Sequence, residues 1–187
     1  MTEARHRFDV LSGVVLIIVV LDQATKYLVV RTMHLHESIP VVSGFFNLTY
    51  IRNPGAAFGI FATTNSTFRL IFFVVSSIFA LGLLWTILYR MPPEQWWGHL
   101  TVSGIFGGAI GNLIDRLRDG EVVDFLDFHV GGYHWPAFNV ADSAISVGVV
   151  SLLILFALDT KKDGTSSETF FPCTALFRIW MKPRNSA

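Results

Sequence analysis

The chain has 187 residues, of which 52% are hydrophobic and only 15% charged, with a formal net charge of zero. A mean hydropathy of +0.52 excludes an ordinary water-soluble domain, whose surface needs more charge, and the neutral balance offers no overall field to attract a nucleic acid. The single cysteine, Cys173, excludes an internal disulfide and has no partner at metal-ligand spacing.

The first apolar stretch, Val10–Val30, follows Arg5, His6 and Arg7. It has about the 20 residues that a helix needs to cross the hydrocarbon core. No small-residue cleavage site follows it, so it reads as a retained span and not as a secretory signal. Asp22 and Lys26 stand near its end at i,i+4 spacing, where an acid and a base on one helix face neutralise each other; a substrate contact stays open for them. Residues 31–67 carry the β-prone stretches Ile39–Val42 and Phe45–Ile51, interrupted by Gly, Pro and Asn, with Asn53 just beyond.

Leu70–Tyr89 is the second apolar stretch and Gln95–Ile114 the third, separated by a short turn that holds Arg90. In the third, Gly104-x-x-x-Gly108 and Gly107-x-x-x-Gly111 are spacings that let helices approach closely. Asn112, Asp115 and Arg116 fall on one helical stripe, which suits a solvated helix end or the polar wall of a site. Val122–Val130 is β-prone and holds Asp124 between Val122-Val123 and Phe125-Leu126, where a bare carboxylate is poorly solvated. Asp127, pointing the other way in an extended segment, reads as its solvated neighbour. The last stretch, about Phe138–Leu158, opens with Asn139 and Asp142. Read alone, Asp142 is an N-cap or first-turn acid favoured by the helix dipole.

These stretches predict an α-helical integral membrane protein with four transmembrane helices, spanning about residues 10–30, 70–89, 95–114 and 138–158, and a small extracytoplasmic β-structure resting on the bundle. Residues 1–158 form a single membrane domain, and residues 159–187 a cytoplasmic tail to which no function is assigned. Four spans put both termini on one side, and Arg5, Arg7, Lys161 and Lys162 place that side in the cytoplasm. Arg31, Arg52, Arg69, Arg116 and Arg118 fall on the outer side and run against that rule.

With this parity every unusual polar residue lies at the same membrane face: Asp22, Lys26, Asn53, Asn112, Asp115, Arg116, Asp124, Asn139 and Asp142. A charge inside a bilayer costs about 2.5–3.5 kcal/mol on insertion scales, so such residues persist only when paired, hydrated or functional. Two carboxylates that reach one water share a proton near neutral pH and can run hydrolysis without a metal or other cofactor. A small proton- or ion-coupled transporter is the rival reading, but its relay needs charges at several depths. A non-catalytic scaffold assembled through the glycine-faced helix leaves the paired aspartates unexplained.

Four segments, Leu21-Asp-Gln-Ala-Thr-Lys26, Asn53-Pro-Gly-Ala-Ala-Phe-Gly59, Gly107-Gly-Ala-Ile-Gly-Asn-Leu-Ile-Asp-Arg116 with Val122-Val-Asp-Phe125, and Phe138-Asn-Val-Ala-Asp142, resemble in this order the lipoprotein signal peptidases, or signal peptidase II. The resemblance covers residues 10–158. It implies a four-helix bundle with a periplasmic β-cradle in the bacterial inner membrane, cutting diacylglyceryl-modified prolipoproteins just before the lipidated cysteine. The family's catalytic aspartates fall on Asp124 and Asp142, and its supporting polar residues on Asp22, Lys26, Asn53, Asn112, Asp115, Arg116 and Asn139. It also implies membrane lipids and globomycin-type inhibitors as ligands, a monomer, and neither a metal, another cofactor nor nucleic acid as a partner.

Overall fold

The computed structural model describes residues 2–55, 65–92 and 94–162, with the side chains of residues 2–10 and 159–162 left aside. Four long helices, α1 (Thr2–Thr32), α2 (Ser66–Arg90), α3 (Trp96–Asp119) and α4 (Val140–Lys162), alternate with four strands, β1 (Ser38–Val42), β2 (Phe46–Asn53), β3 (Val122–Val130) and β4 (Tyr133–His134). The segment Ala56–Gly59 of the second motif, Cys173 and most of the tail lie outside the described residues.

The bundle inverts the usual order of a globular protein. Its exterior is apolar, with Leu16, Ile17, Phe79, Leu83, Leu153 and Ile154 all exposed, while its buried set includes Asp22, Lys26, Asn112, Asp115 and Asn139. A surface of this kind is stable against lipid, which solvates apolar side chains and leaves polar ones to find partners inside. Helices α1, α2 and α4 contain apolar spans, Leu11–Thr32, Ser66–Arg90 and Val140–Leu158, with mean hydropathies of 1.9, 2.4 and 2.2.

Helix α3 does not reach that apolarity, and the reason is its position. It packs against all three of the other helices, so its surface meets protein more than lipid and can carry glycines and polar groups. A β-carbon on Gly108 would stand 2.5 Å from the Ala141 carbonyl oxygen of α4, and one on Gly111 2.6 Å from Asp22 Oδ2 of α1. The glycine pattern is therefore a packing device that brings α1, α3 and α4 together at the polar end.

Local chemistry sets the helix ends. Asn65 Oδ1 accepts from Thr67 N and Phe68 N at 2.9 and 3.3 Å and caps α2. Gly120, with φ of 75°, closes α3 in the left-handed conformation and returns its N–H to Arg116 O at 3.0 Å. β3 follows within two residues.

The strands form one antiparallel sheet in the order β1-β2-β3-β4. Its inner side is glued to the end of α1 by a cluster of Val29, Met33, Tyr50, Val123 and Phe125. Stacked rings of Phe46, Phe128 and Phe138 extend the contact toward α4. The pairing between β2 and β3 shifts register between Leu48 and Ile51, a bulge that bends the strand next to Asp124. Asp127 departs from expectation: it is buried, accepts from Asn47 Nδ2 at 3.1 Å and lies 2.9 Å from His134 Nδ1. The β3–β4 hairpin brings that histidine over the strand and takes the place of water.

Candidate active site

Asp124 projects from near the start of β3, and Asp142 from the first turn of α4. Both line a cavity of about 880 Å³ between the sheet, α3 and α4, together with Asn53, Asn112 and Arg116. Asn139 fixes the two acids relative to each other. Its Nδ2 donates to Asp124 Oδ1 at 2.7 Å, its Oδ1 accepts from Asp142 N at 2.9 Å, and its own N–H reaches Asp142 Oδ2 at 3.3 Å. The last two contacts form a reciprocal capping pair at the start of α4, so the signal that starts the helix also aims the carboxylate.

Amides complete the coordination. Asn53 Nδ2, at the end of β2, donates to Asp124 Oδ2 at 3.0 Å, and Asn112 Nδ2, from α3, donates to Asp142 Oδ1 at 2.7 Å. The orientation of Asn112 follows from its other side: Asn112 Oδ1 accepts from Lys26 Nζ at 3.0 Å and from Asn139 Nδ2 at 3.2 Å. Two donors on one atom require it to be the oxygen and turn the NH₂ group toward Asp142.

Beneath this lies a second, sealed tier. Lys26 Nζ bridges Asp22 Oδ2 and Asp115 Oδ2, each at 2.8 Å, and all three side chains are at most 1% exposed. Asp22 Oδ1 accepts from Ala141 N at 3.0 Å, and Asp115 Oδ2 from Val123 N at 3.2 Å. The tier thus holds α4 and β3 by the backbone amides next to Asp142 and Asp124. The i,i+4 pair read from the sequence is present, and Asp115 makes it a triad.

Arg116 borders the cavity, donating to Asn112 O at 3.3 Å while its guanidinium lies 4.9 Å from the Phe73 ring centroid. All nine sequence-derived site residues therefore meet around one polar network and its cavity. One member escaped the sequence reading. Gln23 Nε2 donates to Asp115 Oδ1 at 2.8 Å and lies 3.2 Å from both Asp22 Oδ2 and Gly111 O. Only its place in the first motif signalled it.

Burial pushes the Asp124 carboxyl up to about 7, and the charge of nearby Asp142 adds to that; the hydrogen bonds from Asn53 and Asn139 and the charge of Lys26 oppose it. An acid so placed exchanges a proton near neutral pH.

The architecture is shared by a solved chain described as a bacterial membrane enzyme, with a TM-score of 0.77 at 34% identity over 86% of this chain and 95% of that one. A second, described in the same words, gives a TM-score of 0.71 at 33% identity, covering 79% of this chain and 92% of that one. Fold and likeness together define a helical bacterial membrane enzyme with a small β-sheet. Residues 14–158 match the family described as Signal peptidase (SPase) II. The chain is 59% identical over 139 residues to the lipoprotein signal peptidase of Desulforapulum autotrophicum, covering 72% of this chain and 83% of that protein. With the lipoprotein signal peptidase of Syntrophotalea carbinolica it shares 53% identity over 148 residues, covering 79% and 91%. The chain belongs to the signal peptidase II family of aspartic peptidases.

Proposed function

We propose that this chain removes the signal peptide from diacylglyceryl-modified prolipoproteins, cutting just before the lipidated cysteine, with Asp124 and Asp142 as its catalytic pair. The observation that carries the reading is the cavity shared by two carboxyl groups, both oriented by the one side chain of Asn139.

In the resting pair one proton is shared; in the state that reacts, Asp124, whose neutral form burial favours, holds it. Asp142, held by Asn112 and the Asn139 backbone N–H, takes a proton from a water between the acids. The water oxygen then attacks the scissile carbonyl carbon as protonated Asp124, hydrogen-bonded to the carbonyl oxygen, passes its proton to it. The tetrahedral diol collapses as the C–N bond breaks and a proton from the pair passes to the leaving nitrogen, giving a free acid and a free amine. The pair titrates as a unit, so activity requires one proton, and the rate falls on both sides of neutrality.

The finer topology belongs to the same reading. Helix α3, with 24 residues, is about 36 Å long and can cross the bilayer as the fourth span. Both termini are then cytoplasmic, and the site faces the periplasm across the inner membrane, where a signal-peptide helix and the acyl chains of its cysteine arrive together. Residues 1–158 form the peptidase domain and residues 159–187 a cytoplasmic tail. Both acids come from one chain, so a monomer suffices, with membrane lipids around it and globomycin-type inhibitors in its cavity.

The test is cleavage of a synthetic prolipoprotein peptide by the purified full chain, with and without the diacylglyceryl group. Cleavage before the modified cysteine only, abolished in Asp124→Asn and Asp142→Asn, supports the reading. Equal cleavage of the unmodified peptide, or an active Asn variant, contradicts it.

A further inference from the structure

The buried tier holds two carboxylates, Asp22 and Asp115, against a single ammonium, Lys26. Such a cluster keeps its geometry only if neutral donors complete the coordination of the acids, because an uncompensated charge in a dry site draws its neighbours out of place. Gln23 is the side chain placed to do this. Its carboxamide reaches across from α1 to Asp115 Oδ1 at 2.8 Å and to the Gly111 carbonyl at 3.2 Å, and it touches Asp22 Oδ2 at 3.2 Å. Arg118, 54% exposed, steadies the other end by donating to Gln23 Oε1 at 3.5 Å, while its Nη2 stands 3.7 Å from Asp115 Oδ1.

We propose that Gln23 is a positioning residue for the aspartate pair: by occupying Asp115 Oδ1 it keeps Asp115 Oδ2 on Lys26 and on the Val123 N–H, and so fixes the strand that carries Asp124 and the amide that faces Asp142. The path is continuous. Val123 immediately precedes Asp124 and accepts from Asn139 Nδ2 through its carbonyl at 3.2 Å. Lys26, anchored between the two acids, presents its third donor to Asn112 Oδ1. Without the Gln23 donor, Asp115 Oδ1 faces the half-exposed Arg118 Nη2 at 3.7 Å, too distant for a short hydrogen bond, and competes for Lys26; the ammonium leaves Asn112, whose amide is then free to turn its oxygen toward Asp142.

The proposal rests on the peptidase reading and is tested in the full chain in detergent micelles, using the diacylglyceryl peptide as substrate. Gln23→Met keeps the length and favours an apolar setting but removes the donor; Gln23→Lys is less at home in a membrane but restores one. A bystander tolerates Met better than Lys, and the proposal reverses that order. For Met, kcat is expected to fall about 10–100-fold with KM within about 2-fold, the loss typical of reacting groups held slightly out of place. For Lys, kcat stays within about 5-fold of the parent because Asp115 Oδ1 keeps a donor. Should the Met variant fail to fold, Gln23→Leu, also apolar and donorless, is read in its place, with the same expected loss. A donorless variant that turns over at the parental rate, or one no slower than Lys, overturns the proposal. Asp124→Asn measured alongside separates the cases: dead Asp124→Asn with a fully active Met variant refutes only the role of Gln23, whereas an active Asp124→Asn refutes the peptidase assignment.

Discussion

The two tiers of the polar core each contain a pair of aspartates, yet they are built to opposite ends. In the lower tier Asp22 and Asp115 clasp Lys26, accept backbone N–H groups from α4 and β3, and are fully buried. In the upper tier Asp124 and Asp142 are held by asparagine amides and face a cavity. A lysine bridge holds the lower carboxylates in place. Amide donors orient the upper ones while leaving a proton exchangeable. On the proposed function, one tier is a clamp and the other a reagent.

Substitutions break this contrast in different currencies. The largest effect is expected on turnover: Asp124→Asn or Asp142→Asn should lower kcat by about 10³-fold or more, a loss of acid–base function, while the protein still inserts and elutes as the parent in size-exclusion chromatography. Lys26→Met should instead cost the fold, about 3–5 kcal/mol, because two buried carboxylates lose their counter-charge. Thermal unfolding in detergent checks this, and parental stability would show that the lower tier is no clamp.

Gly111→Ala should follow, at about 1–3 kcal/mol of overpacking, because the new methyl would press on Asp22 Oδ2; thermal unfolding again reports it, and the parental melting temperature would contradict the tight contact. The last effect is a slope, small over any one pH unit. The Asp124 carboxyl titrates near 7 in the folded chain against an ordinary value of 3.8, so between these pH values the folded state holds a proton that the unfolded state has released. Stability from this group is present at low pH and lost as pH rises toward 7, by at most about 4 kcal/mol. Asp124→Asn should flatten that fall between about pH 4 and 7; an unchanged slope would mean that the carboxyl titrates normally.

Much of this plan could be read from the residues, for physical reasons. Long apolar runs marked the helices, and the strands at Ile39–Val42, Phe45–Ile51 and Val122–Val130 were found within about two residues of their ends because β-branched and aromatic runs met Gly, Pro and Asn breakers. Hydropathy marks the bilayer and not the helix, which is why α1 begins at Thr2, ahead of Val10, and α2 at Ser66, set by its Asn65 cap. Polar residues in an apolar chain announced the polar network and its cavity, since each is costly unless paired, hydrated or used.

What the sequence hid were pairings made across the fold. Asp127 looked solvated because its partner His134 returns only through a tight hairpin at Gly131, with φ of 60°. The two-residue β4 is too short for any periodicity to show. Asp115 gave no sign that it would share Lys26 with Asp22 across 89 residues of chain. Gln23 carried no charge to draw attention to it.

The central claim is that Asp124 and Asp142 act on one water as a single unit. The most direct measurement is kcat for Asp124→Asn, Asp142→Asn and the double variant on the same lipidated peptide. The double variant is expected to be no slower than either single one, since removing one member already disables the pair. Losses that multiply, or a single variant that keeps most of the parental rate, would contradict it.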